Sequence, residues 1–252
     1  MNVYIISLLD AMAAQNITIF CNLNFVKSAV FFSDFRELSK QLKSVADFYY
    51  RFLTKVEFLP MQSLMMEHIG NFDFTDLSKY NPTVTQVFSK LNQQGIALND
   101  ILPIHLRYTD ECNMHLVTGV AYVGNHKDGF LHLLDLSLSK NLIKNFPYSV
   151  TYVREMLESY QRADKTSIKD FVNDQGYCYN QFLRDCKIYF GDTFYSFILK
   201  LKMMDAIGDI IFTRLSLKEI AFKNKFLDYS NMYKTFVRYG LTLNDVPRLG
   251  NL

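Results

Sequence analysis

The apolar positions along this chain change their period twice. Up to about residue 95 they recur mainly at spacings of three and four. Between about 101 and 136 they form dense or alternating runs, and from about 149 onward the helical spacing returns. The opening stretch, MNVYIISLLDAMAA, is apolar and interrupted only by Asp10, which predicts a buried strand or helix. Residues 16–32 place short apolar runs (Ile17, Ile19 and Phe20, then Ala29 to Phe32) on either side of a polar break, predicting two short strands. Ser33 or Asp34 then caps a helix with Phe35, Leu38, Leu42, Val45, Phe48 or Tyr49, and Phe52 on one face. Pro60 opens a short helical piece carrying Leu64, Met65 and His68, and Gly70 stops it. Residues 71–80 read as a loop. Asn81-Pro82-Thr83 starts a further helix, with Val84, Val87, Phe88 and Leu91 inward and Gly95 as its end.

Residues 101–108, 114–122 and 130–136 predict three strands, the last two joined by a hairpin turn over 124–129. Residues 1–148 are therefore expected to form an α+β domain, an antiparallel sheet with helices. Residues 149–165 are expected to be a helical linker, with Val150, Val153, Met156, Leu157 and Tyr160 on its apolar side. The remainder, 166–252, is expected to be all-α.

That last part contains an internal repeat. Ser167-Ile168-Lys169-Asp170-Phe171-Val172 matches Ser216-Leu217-Lys218-Glu219-Ile220-Ala221 at an offset of 49. Gly176-Tyr177 lies opposite Lys225-Phe226, and Gly191-Asp192-Thr193 opposite Gly240-Leu241-Thr242. Phe182 and Cys186 correspond to Met232 and Phe236 after a one-residue shift. Each copy has the pattern of a helix-turn-helix: a capped short helix, a tight turn, and a second helix with a polar face over an apolar one. The polar face carries Tyr179, Asn180, Gln181, Arg184 and Lys187 in the first copy. In the second it carries Tyr229, Ser230, Asn231, Lys234 and Arg238. Arg and Lys can donate to guanine or phosphate, and Asn and Gln can pair with adenine. Between the copies, residues 194–212 predict a long amphipathic helix that buries Phe197, Leu201, Met204 and Ile211.

These residues resemble the AraC-type bacterial transcription regulators over roughly residues 167–248. Glu219-Ile220-Ala221, Phe226, Asp228-Tyr229-Ser230, Phe236 and Gly240-Leu241-Thr242 follow the family's second motif, and Leu201-Lys202 and Ala206 follow its linking helix. Lys225 stands where the family has a turn glycine, Met232 where it has an aromatic residue and Leu243 where it has proline. Cys186 stands at a position usually Phe. The resemblance implies two helix-turn-helix motifs joined by a long helix, and a sequence-specific DNA-binding regulator whose partner is double-stranded DNA. The first domain is then expected to be a sensor, PAS-like in build, that binds a small-molecule effector, dimerises, or does both. RNA polymerase is a further candidate partner. The alternative is a protein–protein interaction module that uses a degenerate helix-turn-helix domain to hold another regulator or the polymerase.

Composition changes this picture little. There are 27 Lys and Arg against 25 Asp and Glu, so the balance is not that of a non-specific nucleic-acid coat. From Thr151 onward 15 basic residues face 12 acidic ones, a sign that suits a phosphate-facing surface. Four cysteines without framework spacing point to cytosolic thiols, and no run approaches a membrane span, so a soluble cytoplasmic homodimer is expected. Cys112-x-x-His115, with His105 and His132 nearby, invites a metal reading. Strand alternation turns Cys112 and His115 to opposite faces, so no metal is expected. No phosphate-binding loop, dinucleotide fingerprint or nucleophile elbow is present, so neither cofactor nor enzymatic activity is expected.

Overall fold

The structure, a computed structural model, describes residues 1–22, 31–73, 77–93, 101–123, 128–162 and 167–249. Its first element is helix α1 (Val3–Asn22), capped by Asn2, whose side-chain oxygen accepts from the Ile5 amide at 2.9 Å. Helix α2 follows (Phe31–Lys55). The two strands expected in 16–32 are absent wherever that segment is described. The β-branched run Ile17-Thr18-Ile19 continues α1, Phe31 already belongs to α2, and residues 23–30 lie outside the described residues.

Strand β1 (Leu64–Asp73) replaces the short helix expected after Pro60, and Gly70 lies inside it rather than at a helix end. Its backbone pairs in register with the edge of the sheet from Leu64 opposite Ser137 to Asp73 opposite Asp128. That ladder satisfies the backbone groups that a helix would satisfy internally. Helix α3 (Pro82–Gln93) has the expected Asn81 start, with the Val84 amide bonded to the Asn81 side chain at 3.0 Å; Gly95 lies outside the described residues. Strands β2 (Ile101–Thr109), β3 (Asn113–Val123) and β4 (Asp128–Ser139) complete an antiparallel sheet of order β1-β4-β3-β2. Of the hairpin turn expected between β3 and β4, residues 124–127 lie outside the described residues.

Alternation along the strands divides the sheet's apolar residues between two layers. Val117, Ala121, Leu131 and Leu133 pack with Val84, Val87 and Phe88 of α3. Leu116, Val120 and Leu138 face the other way and join Leu9, Phe48 and Phe52 of α1 and α2.

The helical part comprises α4 (Tyr152–Arg162), α5 (Ile168–Asp174), α6 (Tyr179–Phe190), α7 (Phe194–Phe212), α8 (Leu217–Lys223) and α9 (Tyr229–Arg238). The core beneath α1 and α2 continues into it without a break. An aromatic seam marks the join: the rings of Phe58 and Phe197 lie 5.4 Å apart, those of Tyr4 and Phe190 5.9 Å, and those of Phe190 and Phe197 are stacked at 3.9 Å. The Asn2 side chain also donates to the Tyr189 carbonyl at the end of α6. Among the described residues no helix is long and apolar enough to cross a membrane.

One turn carries an unusual residue. Lys225, between α8 and α9, has φ 57, in the left-handed region that Gly176 (φ 79) occupies between α5 and α6. An L-residue pays about 1 kcal/mol there. Lys225 also repels Lys202, whose ammonium pKa is lowered first by burial and then by that charge. Lys225→Gly is therefore expected to raise the melting temperature by roughly 2 °C in calorimetry, after the extra chain entropy of glycine is subtracted. A lower melting temperature would show that the lysine side chain stabilises the turn.

Candidate nucleic-acid interface

The two pairs α5–α6 and α8–α9 share their first caps and the hydrogen bonds of their turns, though α6 has 12 residues and α9 has 10. Ser167 and Ser216 cap the short helices through the amides of Asp170 and Glu219, and Ser216 with Glu219 completes a capping box. In the first turn the Gly176 amide bonds to the Asn173 carbonyl and the Tyr177 amide to Val172. In the second the Lys225 amide bonds to Phe222 and the Phe226 amide to Ala221. Every donor and acceptor is displaced by the same 49 residues. Gly191 and Gly240, both at positive φ, end the second helices.

The inner faces match as well. Phe182 and Cys186 of α6, and Met232 and Phe236 of α9, are completely buried. With these four fixed inward, the helical period turns the opposite side of each helix to solvent. Asn180, Gln181, Arg184 and Lys187 are exposed on α6, and Ser230, Asn231, Lys234 and Arg238 on α9. Tyr179 and Tyr229 take the same place at the two N-termini and are half-buried. The ten residues singled out by sequence thus fall on two equivalent faces. Arg184, Lys187, Lys234 and Arg238 form no ion pair among the described residues, leaving four cations free for a phosphate or a base edge.

Gln181 has a second task. Its amide donates to the Asp185 carboxylate at 2.8 Å while its oxygen accepts from Arg184 at 3.0 Å. Asp185, buried, also accepts from the Tyr152 hydroxyl at 2.8 Å, and burial together with Asp185 pushes the Tyr152 phenol pKa up, keeping it a donor. Tyr152 stacks on Tyr177 of the first turn with ring centroids 4.3 Å apart. A chain from α4 through Asp185 and Gln181 therefore holds Arg184 in place. Gln181 thus positions the face.

The second pair is braced from α7. Asp209 accepts from the Lys223 ammonium at 2.6 Å and from the Asn224 amide at 2.8 Å, clamping the end of α8. The Lys202 ammonium reaches the Lys225 carbonyl at 3.2 Å. At its other end α7 holds Lys200, buried and paired with Asp192 at 2.6 Å. Burial alone raises the Asp192 carboxyl pKa, but the bonds from Lys200, Ser196 and the Thr193 amide outweigh it and leave the group below its ordinary range. The 19 residues of α7 span about 27 Å as a continuous helix.

No protein-family model matches the chain, and no curated protein and no solved structure matches it. Its geometry alone carries the functional reading.

Three features of the candidate interface were not anticipated from sequence. Ile188 and Val237 lie on the outer faces of α6 and α9, 52% and 47% exposed, where apolar side chains can meet thymine methyl groups. Their signal was an apolar residue at a position the helical period assigns to solvent. Tyr233, 43% exposed, joins them and lies 6.2 Å from Tyr229, centroid to centroid. The Asp209 clamp has no comparable local signal, since it joins residues fourteen and fifteen positions apart.

The residues weighed for metal binding are dispersed. His115 faces the α3 layer, bonded to Asp135 and Asp110 at 3.0 Å, and His132 faces the α2 layer, bonded to Glu67 at 2.9 Å. His105 lies 3.2 Å from Asp10 of α1, and Cys112 is exposed in the β2–β3 connection. Among the described residues no group of three or more His, Cys, Asp or Glu side chains is placed to hold a metal ion.

Proposed function

We propose that the chain is a sequence-specific DNA-binding transcription regulator of AraC type, with α5–α6 and α8–α9 as two helix-turn-helix readers. The observation that carries this reading is the equivalence of the pairs: one hydrogen-bond register, one N-cap residue, and cations at matching places (Arg184 and Lys234) on exposed second helices. Helix α7 spaces the readers on the order of one turn of duplex, about 34 Å, so both can face successive major-groove segments. The sheet with α1, α2 and α3 acts as the sensing or dimerising layer, PAS-like in role, and the protein works as a cytoplasmic homodimer.

The test is DNA retention by the full chain against its variant Arg184→Ala/Lys187→Ala/Lys234→Ala/Arg238→Ala. Target duplexes selected from a random pool should bind the variant at least about tenfold more weakly, with a shallower salt dependence, since each lost phosphate contact removes close to one from the slope. Circular dichroism and melting should be unchanged, because all four side chains are exposed. Equal affinity and equal salt slope in the two proteins would sink the reading.

One observation favours a second reading. Phe222 and Leu227 flank the second turn at 84% and 89% exposure, where an apolar patch suits a protein partner such as RNA polymerase. Phe222→Ser/Leu227→Ser would then lose that partner while keeping DNA affinity.

A further inference from the structure

A small pocket, partly open to the surface, lies beneath α1 and α2, against the sheet. It has a volume of about 70 Å³, and its walls include Leu9 and Met12 of α1, Ala46 and Leu53 of α2, and Met65 and Leu134 of the sheet. Native interiors leave few spaces larger than a water molecule, and those that stay dry are apolar. This one has hydroxyls in its lining, but two are committed elsewhere: Thr118 donates to the Ala13 carbonyl at 3.1 Å and Tyr50 to the Ser63 carbonyl at 2.9 Å. A water there would find almost no partner.

The third hydroxyl connects the void to the helical part. Tyr49 lines the cavity, and its buried hydroxyl has no hydrogen-bond partner among the described residues. That oxygen stands beside α7, 3.8 Å from where a Cβ on Gly208 would lie, and Gln15 of α1 approaches the same point at 3.8 Å. One side chain from each of the two helices that roof the cavity therefore reaches α7 at Gly208, in the last third of the helix between the two readers. Gly208 has no side chain through which to hold them off.

We propose that this cavity is an effector site for a small, neutral, apolar molecule, and that its occupancy is passed to α7 through Tyr49 and Gln15. The size limits the ligand. A cavity of roughly 150 Å³ accepts benzene, so this one fits an alkyl group of about four heavy atoms. The lining excludes charged ligands, because it holds no ionisable side chain of opposite sign and at most the Tyr49 hydroxyl to replace their water. The role of α7 as a spacer rests on the DNA-binding reading above; the site itself does not.

The experiment uses methyl- and amide-labelled full-length protein, with xenon and then isobutane as probes. Saturable shifts are expected at the methyls of Met12, Leu53, Met65 and Leu134, accompanied by amide shifts at Gly208 and its neighbours in α7. Ala46→Met, which fills the void, should abolish both sets. Should that variant fail to fold, Leu134→Ala gives the opposite test: the enlarged cavity should admit benzene, which the natural chain refuses. Absent methyl shifts, or shifts that persist in Ala46→Met, overturn the site. Methyl shifts without movement at Gly208 overturn the effector role. A protein that binds no DNA would still show every one of these shifts, so the two readings fail separately.

Discussion

Adding a single methyl group at Gly119 is expected to cost at least about 3 kcal/mol and to lower the melting temperature by roughly 6 °C or more. Gly119 lies in the middle of β3, opposite Leu133 of β4. A Cβ built there falls 2.1 Å from the His132 carbonyl oxygen and 2.9 Å from the Leu133 Cα. Both are backbone atoms of the neighbouring strand, so no rotamer change relieves the contact. Either β4 moves away or the β3–β4 ladder breaks, and β4 is the strand that carries β1 on its other side. The damage would reach both layers, because Val117 and Ala121 pack on α3 while Leu116 and Val120 pack under α1 and α2. Thermal unfolding of Gly119→Ala checks this. Gly70, in the edge strand, is the control: nothing lies within 4 Å of its missing Cβ, so Gly70→Ala should leave stability nearly unchanged. Similar melting temperatures for Gly119→Ala and the natural protein would contradict the close approach of the two strands.

Much of the sheet was legible in the sequence, and the reason is burial. Strands β3 and β4 are covered on both sides, so they appear as the dense runs of Met114 to Tyr122 and Phe130 to Leu136. Strand β1 escaped because it is an edge: Leu64 and Ile69 are exposed, and no alternation sets them apart. Its more buried residues, Met65, His68 and Phe72, happen to fall three and four apart, which is the spacing of a helix. The end of α1 was misread for the opposite reason, since Ile17, Thr18 and Ile19 favour strands locally while the helix simply continues. In the helical part the serine caps and the period of Phe182/Cys186 and Met232/Phe236 sufficed to place both outer faces. What holds those faces was not legible. Asp209 clamping α8, and Asp185 holding Gln181 and Arg184, depend on which elements meet in space, and a single strand of letters does not encode that locally.

Asp135→Leu should be the most damaging polar substitution in the sheet layer, costing about 3–5 kcal/mol, as when one partner of a buried charged pair is removed. An Asp inside the run Leu131 to Leu136 is already out of character, and its side chain is completely buried. It accepts from the Thr83 hydroxyl at 2.7 Å and from His115 Nδ1 at 3.0 Å, with His68 Nε2 at 3.9 Å. Thr83 shares its hydroxyl with Tyr108 at 2.7 Å, and Tyr108 stacks on the His115 ring at 4.5 Å. Leucine would strand His115 Nδ1 in the interior, leave the Thr83 hydroxyl with Tyr108 alone and loosen the N-terminus of α3 from the sheet. Asp135→Asn keeps one acceptor and should cost less. The pH dependence gives a sharper test than the magnitude. Burial raises the Asp135 carboxyl pKa, but the nearby His68 and the bonds from Thr83 and His115 more than reverse that, so it lies below the ordinary value of about 4. A carboxyl depressed on folding adds stability that is full above its unfolded pKa and is lost as the pH falls through the folded one. The natural protein should therefore lose stability on acidification below pH ~4, and Asp135→Asn should lose less over the same range. Asp110, held at about 2 by the Asn113 amide, His115 and the Cys112 amide, keeps its charge to lower pH and leaves a residual slope in both proteins. Denaturant titrations between pH 6 and 3 measure the difference, and parallel acid limbs would mean that the Asp135 carboxyl is not depressed on folding.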